Sequence, residues 1–118
     1  MHNFKELMVW QKGIDLAEHI YKLTSEFPSE EKFGIVSQMR RSAVSVPSNV
    51  AEGAGRKTDK DFSNFLSISL GSQFELETQL IISNRVGFLS EDELIKRSSE
   101  LIELQKMTRS LVNKFSKV

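Results

Sequence analysis

Few residues in this 118-residue chain have the types and spacing that catalysis or metal binding requires. Asn49 and Glu52 lie three residues apart in a helical segment, yet no nucleophile and base are visibly paired there. The histidines, His2 and His19, lack the Glu three residues earlier that di-iron helix bundles use, and we expect His19 on the surface. The chain has no cysteine, which excludes disulfides and thiolate chemistry. We therefore predict no catalysis, no cofactor and no metal.

Basic side chains are the second group with chemical potential, because Lys and Arg bind phosphates. They cluster around the predicted second helix and along the fourth, where Lys96, Arg97, Lys106 and Lys117 also lie. Our candidate nucleic-acid contacts are Arg40, Arg41, Arg56, Lys57, Lys60, Arg109 and Lys114. No aromatic residues are interleaved with these cations, since Phe62 and Phe65 fit an apolar stripe. Binding would therefore follow the backbone or shape of the nucleic acid.

The formal net charge is zero, but the charge is unevenly distributed along the chain. Counting Lys and Arg against Asp and Glu, residues 1–37 carry −2, 38–60 carry +3, 61–95 carry −5 and 96–118 carry +4. Such segregation fits local pairing on solvated helix faces, head-to-tail contacts between copies, or a basic face for an acidic partner. The neutral balance weighs against non-specific nucleic-acid binding.

Length and hydropathy indicate one soluble domain over residues 1–118, without a membrane partner. Hydrophobic residues make up 39% and charged residues 27%, which favours neither disorder nor a membrane span. The N-terminus lacks the layout of a secretory signal. We expect a cytoplasmic protein.

Four helices must position these side chains, because apolar residues recur at steps of three and four and no segment alternates with a period of two. In the first helix two adjacent stripes run side by side, one through Trp10, Ile14 and Tyr21 and the other through Val9, Leu16 and Ile20. This face is wider than one helix contact requires, so the helix lies deep in a bundle or meets another copy.

The ends of the helices follow from capping residues. A second helix is predicted from Ser29, a third from Thr58 to near Gly87, and a fourth from a capping box of Ser90 and Glu93. Short turns between them predict an all-α, antiparallel up-down-up-down four-helix bundle.

Pro47 interrupts the second helix chemically, because it cannot donate an N–H to the carbonyl of Ala43. The apolar spacing continues in phase beyond it, so we predict a kink rather than a break. A polar stripe also keeps phase through Gln38, Ser42, Ser45, Asn49, Glu52 and Arg56. The residues to which we assign a structural role in this helix pair are Ser45, Pro47, Asn49, Glu52, Ser72 and Glu75. An antiparallel turn near Thr58 places Ser45 opposite Ser72 and predicts a close, hydrogen-bonded helix pair. We also predict an ion pair of Arg40 or Arg41 with Glu75 or Glu77, within one copy or between two.

The stretches "VWQK" (9–12), "FGIVSQMRRSAVSVPSNVAEGAGR" (33–56), "DFSNFLSISLGSQFELETQL" (61–80) and "GFL" (87–89) resemble a known family. They are similar to the proteins encoded in intervening sequences of bacterial large-subunit ribosomal RNA genes, called S23 ribosomal or 23S rRNA intervening sequence proteins. The resemblance implies a four-helix bundle that forms a ring-like homopentamer without established catalytic activity. It also implies kinship with the accessory variability protein of diversity-generating retroelements, a basic pentamer that binds nucleic acid.

Two functional hypotheses follow. In the first, an oligomer binds RNA or DNA through a basic patch that repeats in every subunit. In the second, the ring is a scaffold that presents helix faces to a protein partner and does not bind nucleic acid.

Overall fold

The computed structural model describes residues 1–117, and four long helices dominate it. They are α1 (Met8–Thr24), α2 (Ile35–Ala54), α3 (Asp59–Arg85) and α4 (Glu91–Ser116). Each helix packs on the next in sequence, and α1 also contacts α4, so the four helices enclose one core. The predicted four-helix bundle is confirmed, with dimensions of 46 × 23 × 20 Å. None of these helices is long and apolar enough to span a membrane over the described residues.

Side-chain caps set where α3 and α4 begin. The Thr58 side chain accepts a hydrogen bond from the Asp61 amide at 3.1 Å, and Ser90 accepts one from the Glu93 amide at 3.2 Å. These contacts satisfy backbone donors that have no partner inside the helix. At the other end of α3, Gly87 has φ = 89°, a left-handed conformation that glycine adopts without steric cost. The predicted starts of α3 and α4 and the predicted end of α3 are confirmed.

The predicted start of the second helix at Ser29 is wrong. Ser29–Glu31 forms only a single 3-10 turn, and α2 begins at Ile35 after Gly34. Ser29 followed by two acids satisfies the local rules for a helix start. Gly34, however, has a backbone conformation outside the helical region, so the turn cannot continue into α2.

The core shows which apolar stripe of α1 is structural. Val9, Leu16 and Ile20 are buried, whereas Ile14 and Tyr21 of the neighbouring stripe are 40% and 45% exposed. Buried aliphatic residues of α2, α3 and α4 complete the core; they include Met39, Val46, Val50, Leu66, Leu76, Leu80, Leu101 and Leu104. Of the outer stripe, Trp10 packs partly against the core, whereas Ile14 and Tyr21 remain at the surface.

α2 and α3 approach closely at their connected ends. A Cβ on Gly53 would lie 2.6 Å from the Cβ of Phe65 and 3.0 Å from a ring carbon of Phe62. Only glycine permits this approach. Pro47 lies within α2, which continues through it, so the helix is not broken there. The bend that we expect at Pro47 stays a prediction.

The N-terminal residues close this end of the bundle. The His2 amide donates to the Ala54 carbonyl at 2.8 Å, and the His2 ring lies 4.7 Å from the ring of Phe62 and 5.0 Å from that of Phe115. This packing joins the N-terminus to the ends of α2 and α4 and to the start of α3.

Candidate nucleic-acid interface

The second half of α4 is the most basic continuous surface in the chain. Between residues 106 and 117 it carries four cations and no Asp or Glu. Lys106, Arg109, Lys114 and Lys117 are all exposed, and none forms an ion pair with a carboxylate within residues 1–117. A step of three residues places Arg109 near the same face of α4 as Lys106, and Lys117 follows the last helical residue in an extended conformation. A shallow groove follows this face between Ile102 and Asn113.

The turn between α2 and α3 brings further cations to the same end of the bundle. Lys57 and Lys60 are exposed there. The rings of Phe62 and Phe115, whose centroids are 5.0 Å apart, join the start of α3 to the end of α4. Lys106 and Arg109 extend from this end towards the middle of the bundle, where Arg109 lies near Phe74. We call Lys57, Lys60, Lys106, Arg109, Lys114 and Lys117 together the basic end.

Arg56 lies beside the basic end but is less available. Its guanidinium is 3.0 Å from the Glu52 carboxylate and lies over the Phe65 ring, 4.6 Å from its centroid. Asp59, the nearest acid on α3, is 3.3 Å from the His2 ring.

Arg40 and Arg41 lie apart from the other candidates. They precede Arg56 by about four helical turns, a distance of roughly 24 Å along α2. Arg40 donates from Nε to the Thr24 hydroxyl at 3.0 Å and from a terminal nitrogen to the Tyr21 carbonyl at 3.3 Å. Its guanidinium also lies 4.6 Å from the Tyr21 ring centroid. Arg40 therefore joins α2 to the end of α1, while Arg41 is exposed.

Within one chain, the predicted ion pair between these arginines and Glu75 or Glu77 is wrong. Glu75 instead accepts a hydrogen bond from the Ser42 hydroxyl at 2.7 Å, and Glu77 accepts one from the Gln105 amide at 2.8 Å. Neutral donors on the adjacent helices, Ser42 on α2 and Gln105 on α4, therefore bind these carboxylates. A pair between two copies stays a prediction.

The polar stripe forms the hydrogen-bonded helix pair predicted from the sequence. The Ser45 and Ser72 hydroxyls are 2.9 Å apart, and the Asn49 amide donates to both the carbonyl and the hydroxyl of Ser45 at 2.9 Å. Ser69 donates to the Val46 carbonyl, also at 2.9 Å. In the described chain these side chains satisfy carbonyls next to Pro47, not the Ala43 carbonyl that Pro47 deprives of its donor. Asn49 is thus engaged locally, and Glu52 pairs with Arg56.

A polar contact between α1 and α4 was not predicted. His19 Nδ1 lies 2.7 Å from the Glu100 carboxylate, and Lys12 Nζ lies 2.7 Å from Glu103. The His19 side chain is therefore 43% exposed and is not fully surrounded by solvent. Arg97, 14% exposed, lies 3.0 Å from Glu100, which removes it from the basic surface. We call this set of contacts the α1–α4 seam.

In two surface ion pairs, the contact shifts the pKa of one partner. The hydrogen bond and the charge of Glu103 raise the pKa of Lys12 above its ordinary value. The hydrogen bond and the charge of Lys22 lower the pKa of Glu18. Both pairs are solvent-exposed, and they give Lys12 and Lys22 carboxylate partners that the lysines of the basic end lack.

Aromatic rings beside cations are a further feature that the sequence did not reveal. Arg109 lies 6.0 Å from the ring centroid of Phe74, which is 42% exposed, and Lys32 lies 5.5 Å from that of Phe33, which is 88% exposed. Phe65, assigned to the core from its spacing, is only half-buried. Among these residues Phe33, which follows Lys32 directly, offered a signal in the sequence, whereas Phe74 and Arg109 are far apart in the chain.

The geometry defines the class of protein as an antiparallel four-helix bundle with a basic end. A family model for the 23S rRNA-intervening sequence protein matches residues 5–110. Because this match covers most of the chain, the protein belongs to that family, as the sequence motifs indicated.

A solved structure has the same fold. The chain is similar to a protein of unknown function from the S23 ribosomal protein family of Bacteroides thetaiotaomicron, with 25% identity and a TM-score of 0.83. The similarity covers 89% of this chain and 95% of that one. No curated protein matches the chain. The comparisons therefore establish the family and the fold. The solved relative is itself a protein of unknown function.

Proposed function

We propose that this protein is a non-enzymatic, oligomeric nucleic-acid-binding protein that contacts the phosphate backbone of RNA or DNA through the basic end. The observation that carries the proposal is the acid-free stretch 106–117, formed by the second half of α4 and its C-cap, with Lys106, Arg109, Lys114 and Lys117 exposed and without carboxylate partners in residues 1–117. Neutral overall charge does not oppose this, because residues 106–117 carry no Asp or Glu and several acids elsewhere are paired within the chain.

The affinity for nucleic acid depends on how many subunits contribute phosphate contacts. Four to six phosphate contacts from one subunit give modest affinity, and an oligomer multiplies them along one nucleic acid. The kinship with a basic nucleic-acid-binding relative, which the sequence resemblance implies, supports this direction. Binding through Lys and Arg to phosphates carries no base specificity.

The test compares two triple variants of equal charge. Lys106→Gln/Arg109→Gln/Lys117→Gln removes three of the six cations of the basic end, and Lys22→Gln/Arg85→Gln/Lys96→Gln removes the same charge from the opposite end of the bundle. Fluorescence anisotropy of a labelled RNA hairpin and a DNA duplex is followed as a function of salt. The basic-end variant should lower the slope of log affinity against log salt by about one per lost contact. Equal losses in both variants, or no binding by the unmodified protein, would reject the proposal.

A scaffold without nucleic-acid binding is the second candidate, and the outer face of α3 favours it. Ile68, Phe74, Ile81 and Ile82 are 39–52% exposed, and Ile102 of α4 is 44% exposed. Exposed apolar groups of this kind mark protein contacts, either between copies or with a partner. Ile68→Ser/Ile82→Ser should lower the oligomer mass in light scattering if copies meet through this face. An unchanged oligomer mass would show that copies do not meet through this face, so that its partner would be another protein.

A further inference from the structure

A second surface, distant from the basic end, combines apolar and cationic groups. It lies where the connection between α1 and α2 meets both helices, and we call it the Phe33 patch. Its members are Tyr21, Lys32, Phe33, Arg40, Arg41 and Val44. The three cations line a shallow groove that contains no Asp or Glu, and the nearest acid in sequence, Glu31, turns toward Gly34.

Phe33 is the unusual member of this patch. It immediately precedes Gly34, the residue before α2, and at this position an apolar side chain often packs on the fourth helical residue. Here that residue is Gln38, which offers no apolar partner, and the Phe33 ring stays 88% exposed. Tyr21 and Val44, at 45% and 42% exposure, extend the apolar surface beside it.

The cations of the patch differ in availability. Arg40 is fixed on Tyr21 and Thr24, so it supplies a positive field without needing to move. Arg41 is exposed, and Lys32, also exposed, reaches over the Phe33 ring with Nζ 5.5 Å from its centroid. An exposed aromatic face flanked by exposed cations is an arrangement suited to an unpaired base and its neighbouring phosphates.

From this arrangement we infer that the Phe33 patch binds single-stranded RNA or DNA, with a base stacked on Phe33 and phosphates bound by Lys32 and Arg41. The inference rests on the proposed function and adds strand selectivity to it. In a duplex the faces of the bases are already stacked, so Phe33 has access only to unpaired nucleotides. The charge of the groove favours this occupant, because an apolar surface ringed only by cations suits a polyanion with flat apolar bases.

The experiment measures the affinity of the full chain for a labelled 20-nucleotide polypyrimidine strand and for a duplex of equal length. Phe33→Ala should weaken single-strand binding by about tenfold, within the range of base–aromatic stacking, and leave duplex binding unchanged. Phe33→Leu is the matched control for chemistry: it retains apolar bulk but has no aromatic face, so it should lose single-strand affinity as Phe33→Ala does. Phe33→Trp in a Trp10→Phe background should retain binding, and the strand should quench its fluorescence.

Other outcomes overturn the inference separately from the proposed function. Duplex binding that depends on the basic end, combined with full single-strand affinity of Phe33→Ala, rejects the Phe33 site alone. A lower oligomer mass for Phe33→Ala, rescued by Phe33→Leu, means that a second copy covers the ring. If the protein binds neither the single strand nor the duplex, both proposals are rejected.

Discussion

The hydroxyls of Ser45 on α2 and Ser72 on α3 lie 2.9 Å apart and form a direct hydrogen bond between the two helices. The Asn49 amide donates to the same Ser45 hydroxyl, so three short polar side chains form one small network. Larger residues at these positions would separate the helices. Hydrogen bonding and close backbone approach therefore depend on the same residues.

A double-mutant cycle measures this contact. Ser45→Ala and Ser72→Ala should each lower the free energy of unfolding by about 1 kcal/mol, because each leaves a half-buried partner without its hydrogen bond. The double variant should cost less than the sum, with a coupling of about 0.5–1.5 kcal/mol, measured by urea denaturation. Strict additivity would show that the two hydroxyls do not interact in solution.

Gly53 and Gly55 offer a matched pair of substitutions two residues apart. Gly53→Ala should destabilise the fold by about 1–3 kcal/mol, because the new methyl collides with Phe65 and Phe62. Gly55→Ala meets only ordinary contacts and has a negative φ, so it should stabilise the fold by about 0.4–1 kcal/mol. Thermal unfolding of both variants checks this. Equal effects of the same sign would contradict the close packing at Gly53.

The neighbours Arg40 and Arg41 should behave differently. Arg40→Ala removes two hydrogen bonds and the stacking on Tyr21, so it should cost about 1–2 kcal/mol of stability. Arg41 is exposed, and Arg41→Ala should change stability by less than about 0.5 kcal/mol. Chemical denaturation of the two variants measures the difference. Similar stabilities would show that the Arg40 contacts do not hold α1 on α2.

The sequence was sufficient for the features that depend on local spacing. Apolar steps of three and four revealed the helices, Thr58 and Ser90 revealed two starts, and counting from the α2–α3 turn paired Ser45 with Ser72. These follow from helix geometry and from a short connection, neither of which requires knowledge of distant residues.

Features that depend on which helices meet were not predictable in this way. The two stripes of α1 are similarly apolar, so only the positions of α2 and α4 decide that Leu16 is buried and Ile14 is not. Arg40 was expected to find a carboxylate, yet it binds neutral groups at the end of α1. His19 and Glu100 are 81 residues apart, and no local pattern connects them.

The polar α1–α4 seam gives the bundle an unequal architecture. α1 is held on α2 by buried apolar packing and by Arg40, whereas its polar contacts with α4 are the part-buried hydrogen bond of His19 with Glu100 and the exposed ion pair of Lys12 with Glu103. Exposed ion pairs contribute little to stability and weaken with salt. We therefore expect the α1–α4 seam to separate before the other helix contacts when the native state fluctuates, so that amides of α1 exchange before those of α2 and α3.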